Sequence, residues 1–185
     1  MKQIISVLGD RDVEKGSIKW ELAQRISRSL VDNDYRILTR GIGSLSKAVY
    51  EGATSSKRYV EGCVISIVPG FDPGVAYGLS DIQIPTGLDE YRNVITANAD
   101  AVVAIGGGAG TLSEIAFAWS LKRLIICVYA DGWSRELAGR KIDHRVRYQD
   151  IEEDQCFPAR DERDVIDILS RYISRYNRRH HGIPY

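Results

Sequence analysis

The chain has 185 residues, of which 44% are hydrophobic, and its 25 Lys and Arg balance its 25 Asp and Glu. That length can bury one real core without disulfide staples, and the balanced charge supplies no global field to draw nucleic acid or a membrane surface. No apolar run approaches the roughly 20 residues needed to span a bilayer.

Short apolar runs alternate with amphipathic segments, the pattern of a mainly parallel sheet flanked by helices. The first strand is expected over residues 3–9. A helix follows from Ser17, an N-cap candidate, with Ile18, Leu22, Ile26 and Leu30 at four-residue spacing. A second strand over 35–39 leads through the turn Gly41-Ile42-Gly43-Ser44 into a helix with Leu45, Ala48 and Val49 on its inner face. The third strand, 62–68, runs into Pro69-Gly70, and residues 69–90 read as a turn-rich loop. A helix over roughly 88–98 precedes a strand at 101–106, and the next helix carries Leu112, Ile115, Ala116 and Trp119. A strand at 124–129 and an irregular stretch at 130–160 come next. The last helix begins near Asp161, with Asp161, Glu162 and Asp164 where the helix dipole favours acids. Its apolar stripe is Val165, Ile168, Leu169, Tyr172, Ile173 and Tyr176. The strands at 62–68, 101–106 and 124–129 are apolar nearly throughout, as strands covered on both faces are.

One domain over residues 1–177 is expected, followed by a basic tail at 178–185. Arg171, Arg175, Arg178, Arg179, His180 and His181 give this end its charge, which reads as solvated. The chain starts straight into Ile4-Ile5-Ser6-Val7-Leu8 with no signal-peptide pattern. Cys63, Cys127 and Cys156 are odd in number and widely spaced, which fits reduced thiols and a cytoplasmic setting. Without Cys-x-x-Cys or His-x-x-x-His, no metal site is expected.

The segment Val102-Val103-Ala104-Ile105-Gly106-Gly107-Gly108-Ala109-Gly110-Thr111-Leu112-Ser113-Glu114 carries the chemistry. It reads as a buried strand, a glycine turn and a helix start. Unpaired amides at a helix start carry the positive end of the dipole, and glycine lets an anion approach the main chain. Gly107, Gly108, Ala109, Gly110 and Thr111 are therefore the candidate phosphate site. Glu114 lies about 4.5 Å further along the helix axis than Thr111. It reads either as an acid beside the phosphate or as a helix-start Glu that serves the dipole.

Ligands of open parallel sheets bind outside the carboxyl ends of the strands. Gly9, Arg40, Gly41, Gly43, Pro69 and Gly70 lie at such ends and are candidate ligand contacts. The dinucleotide fingerprint belongs after the first strand, and a Walker loop needs Gly-Lys-Ser/Thr. Neither is met. Arg92, just ahead of a helix that leads to the glycine strand, reads either as a grip on a polar ligand group or as a surface partner of Asp89 or Glu90. Phe71, Tyr77 and Tyr91 are open between stacking on a base and ordinary packing.

The run Arg92-Asn93 … Asp100-Ala101-Val102 … Gly107-Gly108-Ala109-Gly110-Thr111-Leu112-Ser113-Glu114 resembles the LOG (Lonely Guy) family, often mislabelled as lysine decarboxylases. Thr39-Arg40-Gly41-Ile42-Gly43 through Glu51-Gly52-Ala53, and Val68-Pro69-Gly70, extend the likeness over about residues 3 to 130. The resemblance implies a Rossmann-like three-layer α/β sandwich that forms a homodimer. It also implies a ribose 5′-phosphate on the loop, with Arg92 and Glu114 as catalytic residues at the glycosidic bond. The chain departs from the family signature at Gly106, where proline is usual, at Ser113-Glu114, where two acids are common, and at Asn93, where lysine is expected. These departures resemble a divergent branch that includes molybdenum-cofactor carriers.

The expected function is therefore that of a nucleoside 5′-monophosphate phosphoribohydrolase, releasing base and ribose 5-phosphate with no required cofactor. The alternative is a non-catalytic carrier or sensor for a molybdopterin-type cofactor or a nucleotide. Either way the expected partner is a small phosphate ester, not nucleic acid or a membrane. Lysine decarboxylation has no support, because no lysine makes a case for pyridoxal chemistry.

Overall fold

The structure, a computed structural model, describes residues 2–178. Its strands are β1 (Ile4–Gly9), β2 (Arg36–Thr39), β3 (Val64–Val68), β4 (Ile82–Pro85), β5 (Ala101–Ile105), β6 (Leu124–Val128) and β7 (Cys156–Ala159). All pair in parallel, in the order β4-β3-β2-β1-β5-β6-β7. The helices are α1 (Ile18–Asp32), α2 (Gly43–Thr54), α3 (Asn93–Ala97), α4 (Ala109–Ser120), α5 (Trp133–Leu137) and α6 (Glu162–Tyr172). One face of the sheet packs on α1, α2 and α6 through Leu22, Ile26, Val49, Val165 and Leu169. The other packs on α4 through Ile115 and Trp119, against Val102, Ala104, Ile125 and Cys127. This is the expected Rossmann-like three-layer α/β sandwich.

Ser17 caps α1, accepting a hydrogen bond from the Trp20 amide at 3.3 Å. Asp161 caps α6, accepting from the Arg163 and Asp164 amides. The five expected strands are present, each within about two residues of its expected bounds. All three cysteines are free and buried.

Four elements differ from expectation. β4 lies within the expected 69–90 loop and β7 within the irregular 130–160 stretch, where α5 also forms. Each of these strands has four residues, contains a proline, and sits at an edge of the sheet. An edge tolerates a residue that lacks a ladder donor, whereas sequence pattern reads proline as a break. The helix expected over 88–98 is a 3₁₀ turn at Asp89–Arg92 followed by the single short α3. Asp89 takes a left-handed φ of 48°, and its amide donates to Pro69 O at 3.1 Å. The turn is thus tied to the end of β3, and the helix starts only after it.

The basic tail lies outside the described residues apart from Arg178, which approaches Asp150 at 3.9 Å. Among the described residues no helix is long and apolar enough to cross a membrane, and no group of three or more His, Cys, Asp or Glu could hold a metal ion.

The segment between α5 and β7 is pinned to the core by Arg147. Its Nε and Nη2 donate to the two oxygens of Asp154 at 2.9 and 2.5 Å, and its Nη1 donates to Arg123 O at 3.0 Å. The guanidinium lies 3.7 Å from the Trp119 ring centroid, and Tyr176 donates to Asp154 at 2.6 Å. Both charges are buried. Removing one partner strands the other in a poorly solvated site. Arg147→Ala should therefore lower stability by about 3–5 kcal/mol in equilibrium denaturation, and a loss below about 1 kcal/mol would mean that the pair is not what holds this segment.

Candidate functional site

β1 and β5 are neighbours in the sheet although three strands separate them in the chain. Their register pairs Gly9 with Ile105, so the chain leaves both strands at the same height. From β1 the strand order climbs one way to β4 and the other way to β7. Such a reversal leaves an opening at the strand ends. A crevice of about 1350 Å³ occupies this position. A Cβ on Gly9 would stand 2.2 Å from Ile105 O, so only glycine lets β1 end this close to β5.

Gly9, Arg40, Gly43, Pro69 and Gly70 line the crevice from the carboxyl ends of β1, β2 and β3. Gly108, Ala109, Gly110 and Thr111 line it from the start of α4, and Arg92 from the turn ahead of α3. Three other predicted residues do not line it. Gly41 packs against Ser66 and Ala76. The Gly107 amide donates to Asp10 Oδ2 at 3.2 Å. Glu114 is wholly buried on the inner side of α4. Thr111 Oγ1 donates to Gly9 O at 2.9 Å, so its hydroxyl proton fastens the loop to β1. The anion-ready groups at this end are therefore the main-chain amides at the start of α4.

Arg92 is 1% exposed, so it is no surface partner of Asp89 or Glu90. Its Nε donates to Ile67 O at 3.2 Å and its Nη1 to Asp89 O at 2.8 Å. Its Nη2 hydrogen-bonds to none of the described residues. Arg40 donates through Nη2 to Gly9 O and brings Nη1 to 3.9 Å from Glu114 Oε2. Burial, and then the neighbouring Arg40 charge, press the Arg92 pKa below its ordinary value. A guanidinium stays charged even so.

Burial raises the Glu114 carboxyl above its ordinary 4.5, with Arg40, the Thr96 hydroxyl and Arg92 opposing and Glu90 adding to the rise. Thr96 Oγ1 donates to Glu114 Oε1 at 2.6 Å and lies 3.0 Å from Asn93 O. Glu114 Oε2 has no hydrogen-bond partner.

Asn93, Glu90 and Asp10 also line the crevice. Asn93 Nδ2 donates to Glu90 Oε2 at 3.0 Å and to Ser113 Oγ at 2.9 Å. Ser113 spends its own proton on Gly110 O, so the amide orientation is fixed. Asn93 Oδ1 is left buried and unpartnered, an acceptor without a donor. Asn93 stands where the resemblance leads one to expect lysine, and that departure was the available signal. Phe71 and Tyr91 also line the crevice and are largely exposed.

A parallel sheet with its crevice at the reversal of strand order and a glycine-led helix start at the rim defines a Rossmann-like α/β protein of the LOG-like kind. The chain belongs to the SLOG cluster4 family, whose model matches residues 2–156. An uncharacterized protein of Archaeoglobus fulgidus is 30% identical over 115 residues, covering 62% of this chain and 72% of the relative. Among solved structures, the molybdenum cofactor binding protein of Rippkaea orientalis is similar, with a TM-score of 0.74 and 26% identity over 94% of this chain and 98% of that one. The molybdenum cofactor carrier protein of Chlamydomonas reinhardtii shares the fold, with a TM-score of 0.73 and 21% identity over 94% of this chain and 99% of that one. The divergent branch suggested by Gly106, Asn93 and Ser113 is thus the one in which the chain sits.

Glu114 supplies a pH signature. Its native carboxyl titrates above 4.5 and its unfolded carboxyl near 4.5. Between those values the native state holds a proton that the unfolded chain has released, so stability falls as pH rises through the window. Glu114→Gln removes that slope. The variant's melting temperature relative to the unaltered protein should climb with pH across this window and then level off. Parallel curves from acidic to mildly alkaline pH would show that Glu114 is charged in the fold.

Proposed function

We propose that this chain is a carrier, binding a phosphate ester of the molybdopterin-cofactor class without turning it over. The observation that supports this most is Glu114. Glycosidic hydrolysis asks for a charged carboxylate facing the developing positive charge on ribose. Glu114 is wholly buried, does not line the crevice and is biased toward its neutral form.

The crevice still suits binding. The amides at the start of α4 would take the phosphate, with Arg40 and the Nη2 of Arg92 adding positive charge. Asn93 Oδ1 offers a fixed acceptor for a ring N–H donor, and Phe71 and Tyr91 offer faces for a planar ring. The names of the Rippkaea orientalis and Chlamydomonas reinhardtii proteins point to the same ligand class. In this reading the cofactor is cargo, and a nucleotide is the next ligand in order. A second copy of the chain is the proposed partner, covering exposed Val94, Ile95 and Phe117 of α3 and α4.

Equilibrium binding of the molybdenum cofactor, followed by pterin fluorescence or calorimetry, tests the reading. The purified protein should bind it. Arg40→Gln should weaken binding by about tenfold or more, while Glu114→Gln should leave it within about threefold. Failure to bind, or an Arg40→Gln variant that binds as well as the unaltered protein, would count against the carrier reading.

A further inference from the structure

Asp10 is the first residue after β1, on the crevice side of the strand reversal. Its Oδ2 accepts from the Gly107 amide at 3.2 Å and from Lys19 Nζ, in the first turn of α1, at 2.5 Å. An N–H and an ammonium converging on one oxygen form an anion site, and here the chain fills it with its own carboxylate. That site adjoins the amides at 108–111 proposed to hold the phosphate. Gly106, with φ of 68°, lets the pair lie against the loop. A Cβ there would stand 2.5 Å from Asp10 Oδ2 and 2.8 Å from Lys19 Nζ.

Asp10 also lines a second cavity of about 670 Å³, bounded by Lys19 and by the 129–135 segment. It is therefore shared by two spaces, the larger of which carries the glycine loop. The second cavity has an acidic rim of Asp12, Glu14 and Asp131, and Arg135 is already paired with Asp131 at 2.6 Å.

From this arrangement we propose that Asp10 is a specificity-determining residue that restricts the crevice to ligands ending in a single phosphoryl group. The proposal rests on the reading that the crevice binds a phosphate ester. A diphosphate with one phosphoryl on the 108–111 amides would bring its second toward the Gly107 amide and Lys19. Asp10 already occupies those donors, and its charge repels the newcomer. A monophosphate ester meets no such conflict. Asparagine at this position would keep an acceptor for the Gly107 amide, remove the repulsion and free the Lys19 ammonium.

The test compares AMP with ADP, which differ by one phosphoryl group, together with inorganic phosphate and pyrophosphate, by calorimetry at fixed salt. The unaltered protein should prefer each single-phosphoryl probe. Asp10→Asn should tighten ADP or pyrophosphate by about tenfold or more and leave AMP or phosphate within about threefold. Adding Lys19→Met to Asp10→Asn should abolish the gain, because it removes the freed cation. Asp10→Ser, with circular dichroism as a folding control, gives the same comparison if the asparagine variant folds poorly. Single-phosphoryl binding with an unchanged preference ratio in a folded variant would overturn this proposal alone. Failure of all four probes to bind would overturn it together with the phosphate-site reading.

Discussion

Pairing of β1 with β5 is the constraint from which the rest of the site follows. Chain order would place β1 beside β2 alone. Inserting β5 on its other side sends the remaining strands outward in two directions and brings Gly9 level with Ile105. Three consequences depend on that register. The loop after β5 turns into α4 beside the end of β1, Thr111 can bond to Gly9 O, and Arg40 from β2 can reach both Gly9 O and Glu114. A one-residue slip would move every side chain of β5 to the other face of a strand buried on both. The hydrophobic content of Ala101–Ile105 and the absence of a side chain at Gly9 are therefore the local sequence features that locate the crevice.

Around that crevice, Arg40, Arg92 and the start of α4 are the groups that would meet the proposed anion. α4 presents unpaired amides, and Arg40 and Arg92 stand close enough for one to depress the other's pKa. Glu114, within 4 Å of Arg40, has its carboxyl pKa raised by burial. Arg92 spends two of its donors holding the β3 end to the turn at Asp89 and keeps Nη2 free. Two cations with incomplete internal compensation lose least when an external anion completes the set. A wholly buried acid that does not line the crevice is poorly placed for chemistry on a ligand held there.

Much of this was legible in the sequence, and what was not has physical causes. Five strands, the cap at Ser17 and the start of the last helix near Asp161 could be read because apolar runs, capping residues and first-turn acids are local signals. β4 and β7 could not, because Pro85 and Pro158 read as breaks until the strands are known to be edges. Arg92 stands out in the sequence, but spacing cannot report that its guanidinium is buried. Glu114 was the hardest case. Its position one turn into α4 was plain, yet whether it faces the ligand or the core depends on Thr96 and on a helix rotation that glycine spacing does not specify. Asn93 was visible only as a departure from a family pattern. The fixed direction of its amide comes from Glu90 and Ser113, which no linear reading joins to it.

Turnover decides the central claim, that the crevice holds a phosphate ester without cleaving it. The purified protein should be incubated with a panel of nucleoside 5′-monophosphates, with free base and ribose 5-phosphate quantified by chromatography and Glu114→Ala run in parallel. The account predicts that every nucleotide is recovered intact by both proteins. Release of base by the unaltered protein that Glu114→Ala abolishes would contradict it and establish the buried glutamate as a catalytic residue.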